Sequence, residues 1–142
     1  MLNKRVSHMV SLALFILPFV SSVQADASPS PEGAVVYIIS PAHGEAVGEN
    51  VTVKFGLKGM GISPAGPDKT NTGHHHLLID VDELPALDKP MGKEVRHFGG
   101  GETETTITLP KGKHTLQLIL GNHLHIPHDP PVISKKITIH VR

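Results

Sequence analysis

The chain has 142 residues, with 13 basic and 13 acidic side chains, 11 histidines, 14 glycines, 12 prolines, and neither cysteine nor tryptophan. Without cysteine there is no disulfide, no thiolate metal site and no cysteine-linked lipid. The balanced charge leaves no basic stripe for nucleic acid or anionic lipid, and one Tyr with four Phe cannot build platforms that stack bases or sugar rings.

Lys4 and Arg5 precede an apolar run from Met9 to Val20, which is followed by Val23, Gln24 and Ala25. This is the pattern of a secretory signal peptide over residues 1–25, cleaved after Ala25. The run is shorter than the roughly 20 apolar residues of a spanning helix, and Pro18 interrupts it. The expected product is therefore periplasmic or secreted, with no membrane insertion after cleavage. Residues 26–33, rich in Ser and Pro, read as a flexible leader. Residues 34–142 then form one domain, long enough to bury a core without disulfides.

From there the pattern is that of strands, because short β-branched runs alternate with Gly, Pro and Asn clusters and no window shows a helical apolar face. Seven strands are predicted, over residues 34–40, 51–57, 74–81, 95–98, 103–109, 113–120 and 134–141. Leu116, Leu118 and Leu120 alternate with Thr115, Gln117 and Ile119, as Ile137, Ile139 and Val141 do with Lys136, Thr138 and His140, giving each strand one buried face. Seven strands without helices predict an all-β fold, a seven-stranded immunoglobulin-like Greek-key β-sandwich, with a cupredoxin-like sandwich as its rival.

Successive strands of an antiparallel sandwich run in opposite senses, so alternate connections share one end of the domain. The end where the second strand finishes then also holds the loop 58–73, the start of the third strand at His74, the end of the fourth at His97, and the loop 121–133. Seven histidines fall there: His74, His75, His76, His97, His123, His125 and His128. His43, His114 and His140 fall at the opposite end.

Imidazole is the commonest protein ligand for zinc and copper, so such a convergence points to a metal. The strand pleat sends His74 and His76 to one face and His75 to the other with Leu77 and Ile79, so His75 is expected to cap the core edge and bond a carbonyl. In G-N-H-L-H-I-P-H-D-P-P the prolines stiffen the loop, and His125 and His128 are spaced to face one point with Asp129 able to orient a ring. His97 precedes Phe98 and three glycines, which permit a tight turn, and Glu102 beyond them offers a carboxylate. The loop 58–73 is long enough to be a lid. Its Met60 offers a thioether to reduced copper but reads better as a hydrophobic plug, while Asp68 and Asn71 suit harder ions.

The stretch from Gly59 to Val141 contains A-G-P-D-K-T-N-T-G-H-H-H-L-L-I-D, L-P-A-L-D-K-P, H-F-G-G-G-E-T-E, L-P-K-G-K-H-T-L-Q-L and H-I-P-H-D-P-P. In these motifs the chain resembles DUF4399, a family of bacterial secreted domains of unknown function, with the first two strands fitting less distinctively. The resemblance implies no activity. It places His74, His75, His76, His97, His125 and His128 within the family's motifs and His123 in a more variable part.

The expected function is binding of a copper or zinc ion through His74, His76, His97, His125 and His128, with His123 in reserve, for storage, delivery or sensing. The alternative is a cell-envelope module without metal that recognises a periplasmic protein partner or a glycan. A zinc hydrolase with Glu102 or Asp129 as general base is a third reading, against which stand the lack of an H-E-x-x-H pair, a G-x-S-x-G elbow and a cysteine nucleophile.

Overall fold

The computed structural model describes residues 27–142, and the expected signal peptide lies outside them. Among the described residues there are nine strands and no helix: β1 Val35–Ser40, β2 Ala46–Val47, β3 Asn50–Lys58, β4 Gly61–Ile62, β5 Thr72–Ile79, β6 Arg96–His97, β7 Glu104–Thr108, β8 Gly112–Gly121 and β9 Ile137–Val141. The two strands beyond the predicted seven, β2 and β4, are two residues each, too short to show any alternation. No described helix is long and apolar enough to cross a membrane.

The strands form two sheets. A three-stranded sheet has the order β1-β3-β7, and a six-stranded sheet has the order β2-β9-β8-β5-β4, with β6 also paired to β5. β3 is why the small sheet has an inner face: Val51, Val53 and Phe55 are buried and alternate with exposed Thr52 and Lys54. They pack with Ile107 of β7 against Leu77 of β5 and Leu116, Leu118 and Leu120 of β8. Each such side chain, removed from water, contributes about 1.5–3 kcal/mol. The result is a sandwich-like pair of sheets about one apolar core.

The large sheet departs from the expected pattern of one buried face per strand. β5 is buried without a break from Gly73 to Leu78, and β8 from Leu118 to Gly121. A second apolar cluster explains this: Leu78 and Ile119, on the side of the sheet away from Leu77 and Leu118, pack with Val95, Val81, Met91 and Ile133. The chain between β5 and β6 and the chain after β8 therefore cover the outer face, and His74 and His76 of β5 lie on that face.

The long loop 58–73 is also more ordered than a lid. β4 lies parallel to the start of β5, pairing Gly61 with Thr72 and Ile62 with Gly73. Beyond it the Ala65 N–H donates to the Gly99 carbonyl (2.9 Å) and the Gly66 N–H to the His123 carbonyl (3.1 Å). Met60 packs on the main core, consistent with a plug. Within the expected leader, the Ser30 N–H donates to the Asp129 carbonyl (3.1 Å) and the Asp129 N–H to that of Ser28 (3.0 Å).

Candidate metal centre

The register of the large sheet brings two histidine clusters together. β5 runs antiparallel to β8 with His74 opposite Gly121 and His76 opposite Ile119, and β6 flanks β5 on its other side with His97 opposite His76. Directly opposed residues share a face, so His74, His76 and His97 all point outward from the sandwich. The next residue, Phe98, points inward and meets Phe55 with ring centroids 5.0 Å apart.

His125 arrives from the chain after β8, held by a compact turn built on Asn122. The Asn122 side-chain oxygen accepts the N–H groups of Leu124 (2.9 Å) and Ile126 (3.0 Å). Its backbone accepts from the His125 N–H (2.9 Å) and donates to the Ile126 carbonyl (2.8 Å). Within this turn His125 takes φ 65°, a left-handed conformation that side chains other than glycine adopt at a cost. These four hydrogen bonds to one asparagine enforce it.

The four rings of His74, His76, His97 and His125 are mutually adjacent. Their centroids lie 4.6 Å (His74–His76), 5.1 Å (His74–His97), 4.9 Å (His74–His125), 5.2 Å (His76–His97), 5.8 Å (His76–His125) and 4.1 Å (His97–His125) apart. One nitrogen from each lies within 4.8 Å of all the others. Four nitrogens at about 2.0–2.1 Å from a tetrahedral ion stand about 3.3 Å apart, so small ring rotations suffice to close on one centre. These four residues can hold a metal ion.

Two glycines make room for the rings. A Cβ on Gly121 would lie 2.5 Å from Cε1 of His76, and one on Gly99 would lie 2.2 Å from Nε2 of His97. His74 and His76 are fully buried, His125 is half-buried and His97 is exposed, so the group is open to solvent on the His97 side.

The surroundings favour the neutral form of His74, His76 and His125. Burial, and then the neighbouring rings of His125 and His97, lower the His74 pKa to about 4; burial, and then His74 and His97, lower that of His76 to about 3. Burial and His97 lower that of His125. Polar partners are few. His74 Nε2 and His125 Nδ1 share a hydrogen bond of 2.9 Å, while both nitrogens of His76 and Nδ1 of His74 are buried with no partner among the described residues. A neutral ring must carry one N–H, and a buried unsatisfied polar group costs about 1–3 kcal/mol. Neutral, unpaired and convergent nitrogens are what a cation of high ligand affinity needs.

The other proposed donors lie elsewhere. His128 is buried on the inner side of Gly73, with Nε2 3.1 Å from the Thr72 carbonyl and Nδ1 3.4 Å from that of Leu120. Both of its nitrogens face backbone oxygens, and the structure does not bring it into the four-ring group. The reason is the tight turn 122–126, which puts His125 over the outer face and turns the chain inward before His128. His75 packs on Phe55 and its Nδ1–H donates to the Glu102 carbonyl (3.3 Å), as a ring at the core edge should. His123 lies 3.4 Å from Asp68. The Glu102 carboxylate accepts the Gly100 N–H (3.0 Å) and caps the glycine turn. Asp129 is exposed and engages Ser28 and Ser30 through its backbone.

Sequence reasoning missed the supports of the site: Asn122, Gly121 and the covering segment with Met91. The signal available was the G-N-H triplet, since Asn favours such side-chain-to-backbone turns. No curated protein and no solved structure matches the chain. One family does, described as a domain of unknown function (DUF4399), and the match runs over residues 53–142. It takes in every strand and turn that carries the four rings, and the chain belongs to the DUF4399 family.

Proposed function

We propose that this protein is an exported, periplasmic or secreted, binder of a transition-metal ion, Cu(II) or Zn(II), held by His74, His76, His97 and His125. The observation that carries the reading is the convergence of four ring nitrogens within 4.8 Å of one another. The orphaned nitrogens of His76 support it, because coordination supplies the partner that the protein withholds. An all-imidazole site without thiolate suits an oxidising compartment, and the signal-like start of the chain supports export. Two buried rings beneath a fixed cover suit storage or delivery of the ion.

The test is isothermal titration of untagged protein with Cu(II) and Zn(II) at neutral pH, beside a variant with His74, His76, His97 and His125 replaced by Gln. Stoichiometric uptake by the unmodified chain and none by the variant is the expected result. Equal uptake by both proteins removes the proposal.

A further inference from the structure

The outer face of β5 holds one more donor of a different kind. Met91 belongs to the segment that covers this face, where it packs on the cluster of Leu78, Val95 and Ile119. Its N–H donates to the carbonyl of His125 (3.0 Å), which fixes Met91 beside the fourth ring. A Cβ on Gly121 would lie 3.0 Å from the Met91 methyl carbon, 2.5 Å from Cε1 of His76 and 3.0 Å from Nδ1 of His76. The thioether end and the His76 ring therefore share the space above one glycine. Both nitrogens of that ring lack partners among the described residues.

We propose that the Met91 sulfur is a soft donor to the ion held by the four rings, so that the site takes copper in both oxidation states, Cu(I) as well as Cu(II). This deepens the metal-binding reading and rests on it. Imidazoles alone serve Cu(II) and Zn(II) about equally in kind, whereas a thioether favours Cu(I) and adds little for zinc. A flexible, unbranched side chain at the edge of the group can swing toward a reduced ion and away from an oxidised one. Met60, the methionine that the sequence singled out, is excluded by position, because it packs on the main core between the sheets and not on the outer face.

The test is copper binding by the untagged chain and by Met91→Leu, which keeps size and apolar character and so preserves the packing on Leu78. Cu(I) affinity is read by competition with a Cu(I) chelator, and Cu(II) and Zn(II) affinities by titration. The expected result is a loss of about tenfold or more in Cu(I) affinity with Cu(II) and Zn(II) changed by less than about threefold, equivalent to a fall of about 59 mV in potential per tenfold. X-ray absorption of the Cu(I)-loaded unmodified chain should show a sulfur neighbour. Unchanged Cu(I) affinity in the variant, or a shell of nitrogen alone in the unmodified chain, overturns the role of Met91 and leaves the four-ring site standing. No copper uptake of either state by the unmodified chain overturns both.

Discussion

His114 and His76 are both buried histidines on strands of the same sheet, and the protein treats them in opposite ways. His114 Nδ1 meets Asp80 at 2.6 Å and its Nε2 meets the Pro110 carbonyl at 2.8 Å, so both nitrogens have oxygen partners. Asp80 also accepts the Thr115 N–H at 2.8 Å. The hydrogen bond to Asp80 raises the His114 pKa, whereas burial and neighbouring rings lower that of His76 to about 3. One arrangement is complete without a ligand. The other has no partner for either nitrogen among the described residues. Partnership of both nitrogens, more than burial, sets His114 apart as a structural tie from His76 as a candidate ligand.

The sharpest way to break the comparison is to remove rings from each region. His74→Ala with His76→Ala should lower metal affinity by more than about 100-fold, since the loss of supporting partners alone commonly costs 10–100-fold. His114→Gln should leave affinity unchanged. Competition with a chelator measures both, and equal losses would erase the distinction.

Acid should act next most strongly, and with opposite sign at the two places. Below the ordinary value of 6.5 the unfolded chain binds protons that folded His74 and His76 refuse until about pH 4 and about pH 3. Metal-free stability should therefore fall as pH drops from 6.5 toward those values, by on the order of a few kcal/mol. His114, with its folded pKa raised, contributes stability that is fully present below pH 6.5 and lost as pH rises through the folded value. Denaturant unfolding at pH 4.5, 6.5 and 8.5 of the metal-free chain, His76→Gln and His114→Gln separates these. An acid limb as steep in His76→Gln as in the unmodified chain contradicts the assignment.

A smaller effect is expected from Gly121→Ala, whose new methyl would meet the His76 ring at 2.5 Å and must displace it. Affinity should fall by about tenfold, in the range seen when a ligand's support is disturbed. Gly99→Ala should act in the same direction but more weakly, because the exposed His97 ring that it crowds can shift and still return to the ion. The same titration reads both variants. The smallest change should be the stability lost in His114→Gln, about 1 kcal/mol at pH 6, because Asp80 is half-exposed and water replaces part of the bond. Thermal unfolding measures it.

What was legible in the sequence was whatever depends on alternation. Val51, Val53 and Phe55 in β3, and Leu116, Leu118 and Leu120 in β8, announce strands with an inner face, and the pleat alone separates His74 and His76 from His75. Strand parity also brings His97 to the neighbourhood of β5, since the pairing of His97 with His76 needs only that the two strands be antiparallel neighbours. The all-β class, the outward pair on β5 and the structural role of His75 follow from period-two geometry, which is local.

The choice among the remaining rings is not local, and tertiary structure made it. His125 and His128 are three residues apart and equally polar, yet one lies over the outer face and the other is tied to carbonyls within. A turn folded around Asn122 decides this, through hydrogen bonds that no hydrophobic pattern records. The burial of β5 on both faces likewise depends on segments that carry no strand signal, among them the one that brings Met91 over Gly121. Composition and alternation determined that this chain would gather histidines at one end of a β-structure. Only packing decided that four of them would converge and that both nitrogens of His76 would find no partner among the described residues, because desolvation and orphaned nitrogens arise where distant segments close over a strand.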